Sequence, residues 1–69
     1  MKISARNTIQ GKVRNVVLGP VSAEVTLRVA PDIDVVAVIS TTSAKALKLK
    51  KGKKAYAIIK ASNVMVGVD

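Results

Sequence analysis

The sequence predicts an all-β domain, a small five-stranded β-barrel carrying one short helix. Three observations predict it. The apolar residues are almost entirely Val, Ile, Ala and Leu, with no Phe, no Trp and a single aromatic, Tyr56. Branched aliphatics are stiff at χ1 and pack best on a pleated, half-buried surface. Val21, Ala23, Val25, Leu27 and Val29 alternate with Ser22, Glu24, Thr26 and Arg28, and a period of two marks a strand with one buried face. One segment, opening at Thr41-Thr42-Ser43, has helical spacing and caps.

The elements follow in order. Ile3 to Arg6 reads as a short leading strand. Gly11 to Leu18 is the strand entering the Gly19-Pro20 turn, since Gly and Pro punctuate strands. Val21 to Val29 comes next and is broken by Ala30-Pro31-Asp32. Ile33 to Ser40 is a third main strand. Its apolar run from Val35 to Ile39 is almost continuous, which predicts burial on both faces, one in the core and one in an interface. Thr41, Thr42 and Ser43 are N-cap candidates. Ala44, Leu47 and either Lys48 or Leu49 follow at helical spacing, with lysines in the last turn where the helix dipole favours cations and Gly52 as the stop. That makes about two turns of helix. Ala55 to Lys60 and Val64 to Val68 are the last strands, with Asn63 as the turn residue between them. Five main strands with a short helix between the third and fourth describe an OB-like barrel. No linker, repeat or low-complexity stretch divides the chain, so residues 1–69 form a single domain.

Size sets the next constraint. A chain of 69 residues is short for one core to outweigh chain entropy, and such domains draw on disulfides, a structural metal or self-association. With no Cys and no His, disulfides are impossible and a zinc site lacks its ligands. Self-association remains, and an apolar content of 49% is more than one small monomer can hide. The same absences argue against catalysis. The acids Glu24, Asp32, Asp34 and Asp69 form no pair at useful spacing, and serines without a base have no activating partner. The sequence therefore reads as a binding protein without an organic cofactor or a bound metal cation.

The formal net charge is +8. Lys45, Lys48, Lys50, Lys51, Lys53 and Lys54 crowd one window, which is either a solvated face around a loop or a positive field that attracts anions. A nucleic-acid-binding OB module using the Lys45 to Lys54 patch is the alternative reading. Such modules stack bases on aromatic platforms, and one tyrosine cannot build several. No run approaches the roughly 20 apolar residues of a membrane span. The Met-Lys-Ile-Ser opening is not a signal peptide, so the cytoplasm is the expected compartment.

The run from Ile3 to Asn7 carries the chemistry. It sets the Ser4 hydroxyl, the Arg6 fork and the Asn7 amide close together with no carboxylate beside them. Donors without an acceptor suit a small anion, although an edge strand with a solvated arginine has the same composition. Ser40 and Ser43 flank the predicted helix start, where backbone N–H groups lack intrahelical partners. Ser43 is equally a plain helix cap, and Lys60, before Ala61-Ser62-Asn63, is equally a solvated lysine.

Ser4-Ala5-Arg6-Asn7, Gly11-Lys12-Val13, Ala23-Glu24-Val25, Val38-Ile39-Ser40, Lys60 and Val64-Met65 stand in the order and approximate spacing of the molbindins. The chain resembles these small molybdate-binding proteins, built from the Mop or TOBE domain, from Ile3 to about Val66. The Ser-Ala-Arg-Asn opening is the most specific part of the match. The resemblance implies intracellular storage of molybdate or tungstate, held as oxyanions at the subunit interfaces of a homo-oligomer. It implies a hexamer arranged as a trimer of dimers, with an N-terminal strand that crosses to a neighbour. It also implies the ligand set: Ser4, the Ala5 amide, Arg6, Ser40, Ser43, Lys60 and the Ala61 amide. Many molbindins have serine after the lysine. Here Ala61 keeps the amide and loses the hydroxyl, and Ser62 is the candidate to replace it.

Overall fold

The computed structural model describes residues 1–69. Four strands, β1 (Asn7–Leu18), β2 (Ser22–Ala30), β3 (Ile33–Ser40) and β4 (Lys54–Ile59), form one antiparallel sheet in the order β3-β2-β1-β4. A single helix, α1 (Thr41–Ala46), follows β3, and a 3₁₀ turn at Ala61–Asn63 follows β4. The long strand β1 holds the sheet together by changing partners. Its first half pairs with β4, from Asn7↔Ile59 to Lys12↔Lys54. Its second half pairs with β2, from Lys12↔Arg28 to Leu18↔Ala23.

The change of partner has two local causes. The β1–β2 register shifts between Val13 and Asn15, and a bulge of this kind bends a strand and increases its twist. Gly11, just before it, lies so close to β2 that a Cβ there would stand 2.6 Å from the Arg28 carbonyl oxygen. Only glycine fits that approach. The turn after α1 then extends the β1–β4 ladder, because Val13 N–H donates to the Lys53 carbonyl and Gly52 N–H to the Val13 carbonyl, both at 2.8 Å.

The curled sheet wraps a small core. Val13, Val25, Leu27 and Ala57 form its centre, with Val16, Val29, Val35, Ile39, Leu49 and Ala55 packed around them. Seven of the 69 residues are buried. Val36, Val38, Ile58, Met65, Val66 and Val68 are among many aliphatic side chains left in solvent. Burying one such side chain stabilises by roughly 1.5–3 kcal/mol, so the single chain leaves much of its hydrophobic stabilisation unrealised.

Several expected elements differ in detail. The alternating strand stands as Ser22–Ala30. The entering strand begins at Asn7 rather than Gly11, because the β4 edge supplies it with a partner. Ile3 to Arg6 is irregular, with bends at Ser4 and Arg6. Val64 to Val68 has the expected alternation but no strand beside it. The sheet therefore has four strands and is a half-barrel, open between β3 and β4. Asn63 lies in the 3₁₀ turn. The run Val35 to Ile39 is not buried on both faces in one chain: Val35, Ala37 and Ile39 are half-buried, and Val36 and Val38 are exposed. The helix has six residues, and its N-cap is Ser40 rather than Thr41, Thr42 or Ser43. It ends well before Gly52. Lys48 takes a left-handed φ of 54°, Lys48 N–H donates to the Lys45 carbonyl and Leu49 N–H to the Ala44 carbonyl. This is the Schellman pattern with a lysine where glycine is usual.

Candidate oxyanion site

The candidate donors fall into two groups, each placed by the strand ladder. The first lies where β1 begins and β4 ends. Asn7 pairs with Ile59, and the Asn7 Nδ2 donates to the Ile59 carbonyl at 3.2 Å. That clamp closes the ladder with Arg6 and Lys60 as the residues that flank its last pair; Ser4 and Ala5 precede it and Ala61 and Ser62 follow it in the chain. Arg6 and Lys60 are both exposed and free of intramolecular ion pairs. No acid lies on β1 or β4. Asn63 N–H donates to the Lys60 carbonyl at 2.9 Å, which folds Ala61 and Ser62 into a tight turn immediately after the lysine.

The second group lies at the far end of the sheet. Ser22 pairs with Ser40 beyond the Leu18↔Ala23 pair, so Ser40 stands next to the β1–β2 turn. The Ser40 Oγ accepts from the Ser43 N–H at 3.0 Å and donates to the Ser43 Oγ at 2.7 Å. This reciprocal cap occupies part of both hydroxyls. Buried Thr41 fixes the position of α1, its hydroxyl donating to the Gly19 carbonyl at 2.7 Å and its N–H to the Val21 carbonyl at 2.9 Å. The twelve residues of β1 separate this group from the first, at about 3.3 Å per residue along the strand. One chain thus holds two groups of candidate donors at opposite ends of β1.

Charge is arranged around these groups in a definite pattern. Lys54, Lys12, Arg28 and Asp34 occupy one row across all four strands. Like charges directly opposite are destabilising, and Asp34 is the counter-charge that offsets this one. It accepts from the Arg28 Nε and from the Arg14 Nη1, the latter at 2.6 Å. The Arg28 hydrogen bond, helped by Arg14, holds the Asp34 carboxyl below the usual carboxylate range, and Asp34 raises the Arg28 guanidinium in return. In the lysine-rich segment, Lys53 is structural rather than free. Its Nζ donates to the Leu47 carbonyl at 2.7 Å and to the Lys48 carbonyl at 3.4 Å, neutralising carbonyls left open past the helix end.

Three positioning roles are absent from the sequence-based expectations: the Asn7 clamp, the buried Thr41 hydroxyl and the Lys53 cap. Asn7 was visible as part of the opening run. The Thr41 hydroxyl finds its acceptor in the Gly19 turn, which only the fold brings close, whereas Lys53 reaches carbonyls five and six residues back, exposed by a helix that ends earlier than its spacing predicts. Tyr56, the one aromatic, has the Lys54 Nζ 5.6 Å from its ring centroid, so its own lysine sits over the only platform that could stack a base.

Comparison with known proteins gives a consistent result. The TOBE domain family model matches residues 3–66. A probable molybdenum-pterin-binding protein of Haemophilus influenzae is 46% identical over 69 residues, covering all of both chains. Among solved structures, a molybdate-binding protein from Sporomusa ovata superposes with a TM-score of 0.91 at 34% identity, over 99% of this chain and all of its own. The cytoplasmic molybdate-binding protein ModG, solved with molybdate bound, superposes with a TM-score of 0.94 at 39% identity, over all of this chain and 49% of its own.

Proposed function

We propose, for a chain that belongs to the TOBE domain family, that it binds and stores molybdate or tungstate as intact oxyanions in the cytoplasm. The observation that carries the reading is that Arg6 and Lys60 flank the last pair of the β1–β4 ladder, at an end of the sheet whose two strands hold no acid. The arginine fork and the ammonium supply charge-assisted hydrogen bonds. The Ser4 and Ser62 hydroxyls and the Ala5 and Ala61 amides complete a donor-only lining. Ser40 and Ser43 of another copy close the site, so that anions sit at the interfaces of a homo-oligomer, a hexamer built as a trimer of dimers. The names of the relatives, which bind molybdate or molybdenum-pterin, support this choice of ligand. Oxyanion binding requires no catalytic group.

The chemistry predicts selectivity. Molybdate and tungstate are tetrahedral dianions at neutral pH, so a lining of donors satisfies every oxygen. Phosphate at that pH usually keeps a proton, which such a lining leaves unpaired at a cost of about 1–3 kcal/mol. Sulfate has no proton and is discriminated by size alone. Calorimetry with the four anions side by side tests the reading. Molybdate and tungstate are expected to bind, with phosphate weaker by about 5- to 150-fold, the same free energy expressed as a ratio. Absence of molybdate binding, or phosphate binding equally well, overturns it.

A further inference from the structure

We propose that the pocket formed by Arg14, Asn15, Thr26 and Lys51 is a second anion site, one that takes a phosphate group, either free or carried as a small monoester. The inference stands apart from the molybdate reading, because it uses none of the same residues. The pocket has a volume of about 420 Å³, and those four residues, none of them apolar, line it.

The bulge in β1 builds the pocket. In a regular strand successive side chains point to opposite faces. Here Val13 pairs with Leu27 and Asn15 with Thr26, so Arg14 is the extra residue without a partner on β2. Val13 stays in the core at 2% exposure, while Arg14 and Asn15, although adjacent, line the same pocket. Bulges re-aim side chains in this way. The turn that carries Lys51 is fastened to the bulge, since Gly52 N–H donates to the Val13 carbonyl and Val13 N–H to the Lys53 carbonyl. Arg14 is oriented by its Nη1 bond to Asp34 at 2.6 Å, which leaves most of its five N–H donors free. Asp34 also serves Arg28, so one carboxylate faces two guanidinium groups and the pocket keeps an excess of positive charge. The side chains of Asn15, Thr26 and Lys51 make no hydrogen bond within the chain.

Arg14 and Lys51 supply the charge, and Asn15 and Thr26 can each donate or accept. That separates this lining from the one proposed at Arg6 and Lys60. Donors alone leave the proton of hydrogen phosphate unpaired, whereas here the Thr26 hydroxyl and the Asn15 carbonyl can accept it. The volume far exceeds the roughly 30 Å³ share of one water, which leaves room for the hydroxylated body of an ester. Both cations are exposed, so the anion is held weakly and salt screens it.

Amide NMR spectra of the full chain, titrated with inorganic phosphate at low salt, test the site. Saturable shifts are expected at Arg14, Asn15, Thr26 and Lys51. They should persist with molybdate already bound, and in Arg6→Ala. Arg14→Gln is expected to abolish saturation. Lys51→Gln, which breaks no bond within the chain, should weaken binding by about 2- to 5-fold, the scale of an exposed ion pair. Glycerol 3-phosphate separates the two sources: tighter binding than inorganic phosphate assigns the site to an ester, and equal or weaker binding assigns it to the free ion. Shifts that never saturate, that centre on Arg6 and Lys60, or that are unchanged in Lys51→Gln overturn the proposal. Loss of molybdate binding with these shifts intact removes the storage reading and leaves this site standing.

Discussion

Arg6 and Asn7 divide the work at the start of β1. Asn7 spends its amide on the Ile59 carbonyl, while Arg6 remains exposed without an intramolecular partner. Arg6→Ala is therefore expected to weaken molybdate binding by about 1.5–3 kcal/mol, the scale of a hydrogen bond to a charged group, and to leave the oligomer intact. Calorimetry together with sedimentation checks both parts, and unchanged affinity in the folded variant would reassign Arg6 to structure. Asp34 makes a different prediction. Its carboxyl is held below the ordinary value of 3.8 by Arg28 and Arg14. Its contribution to stability is thus present above that ordinary value and disappears as pH falls through the lowered one. Asp34→Asn should be less stable than the parent at pH 6, and the difference should shrink toward pH 2. Urea midpoints at several pH values decide, and a constant difference would show that the ion pairs are not its cause. That Arg6 and Lys60 flank one strand pair follows only from the Asn7↔Ile59 register, between residues 52 positions apart, so spacing alone cannot show it.

At the scale of elements, β2 was legible because its alternation is complete and its inward residues Ala23, Val25 and Leu27 are the buried ones. The same rule fails at Val64–Val68, because alternation reports a face that needs burying and not the partner that buries it. The helix end was misread for another reason. The expected stop was glycine, but the left-handed cap falls on Lys48, at φ 54°. An L-residue there is strained by roughly 1–2 kcal/mol, partly offset by the entropy a glycine would lose. Lys48→Gly should accordingly raise stability by about 0.5–1 kcal/mol, seen as a higher denaturation midpoint with unchanged slope. Gly11→Ala should do the opposite, since the new Cβ would push on the Arg28 carbonyl at the place where β1 changes partners. In the lysine-rich segment, Lys50 and Lys51 are exposed and make no hydrogen bond through their side chains, unlike Lys53. Replacing the two with glutamine should slow molybdate association and flatten its salt dependence while leaving dissociation almost unchanged. Lys60→Gln should instead accelerate dissociation. Stopped-flow rates at low and high salt separate the cases, and faster dissociation in the double variant would make these lysines ligands.

For the molecule as a whole, three shortages have one remedy. The core is small, with seven residues buried; the barrel is open on one side; and the two groups of candidate ligands lie at opposite ends of β1. In the proposed homo-oligomer a second copy would bury exposed valines and bring Ser40 and Ser43 of one chain to Arg6 and Lys60 of another. The apolar excess behind the first shortage was legible in composition, whereas the other two depend on which strands pair. If association and anion binding share this cause, they are thermodynamically linked, because a ligand that binds only the assembled form stabilises that form by mass action. Sedimentation at micromolar concentration should show a species several times the 7.2 kDa chain mass. The thermal midpoint should rise with protein concentration. Saturating molybdate should raise it further, with the largest gain in dilute samples, where the free assembly has begun to dissociate. A midpoint independent of protein concentration, or a molybdate effect equally large in a stable monomer, would place the whole site within one chain and contradict the division of ligands between copies.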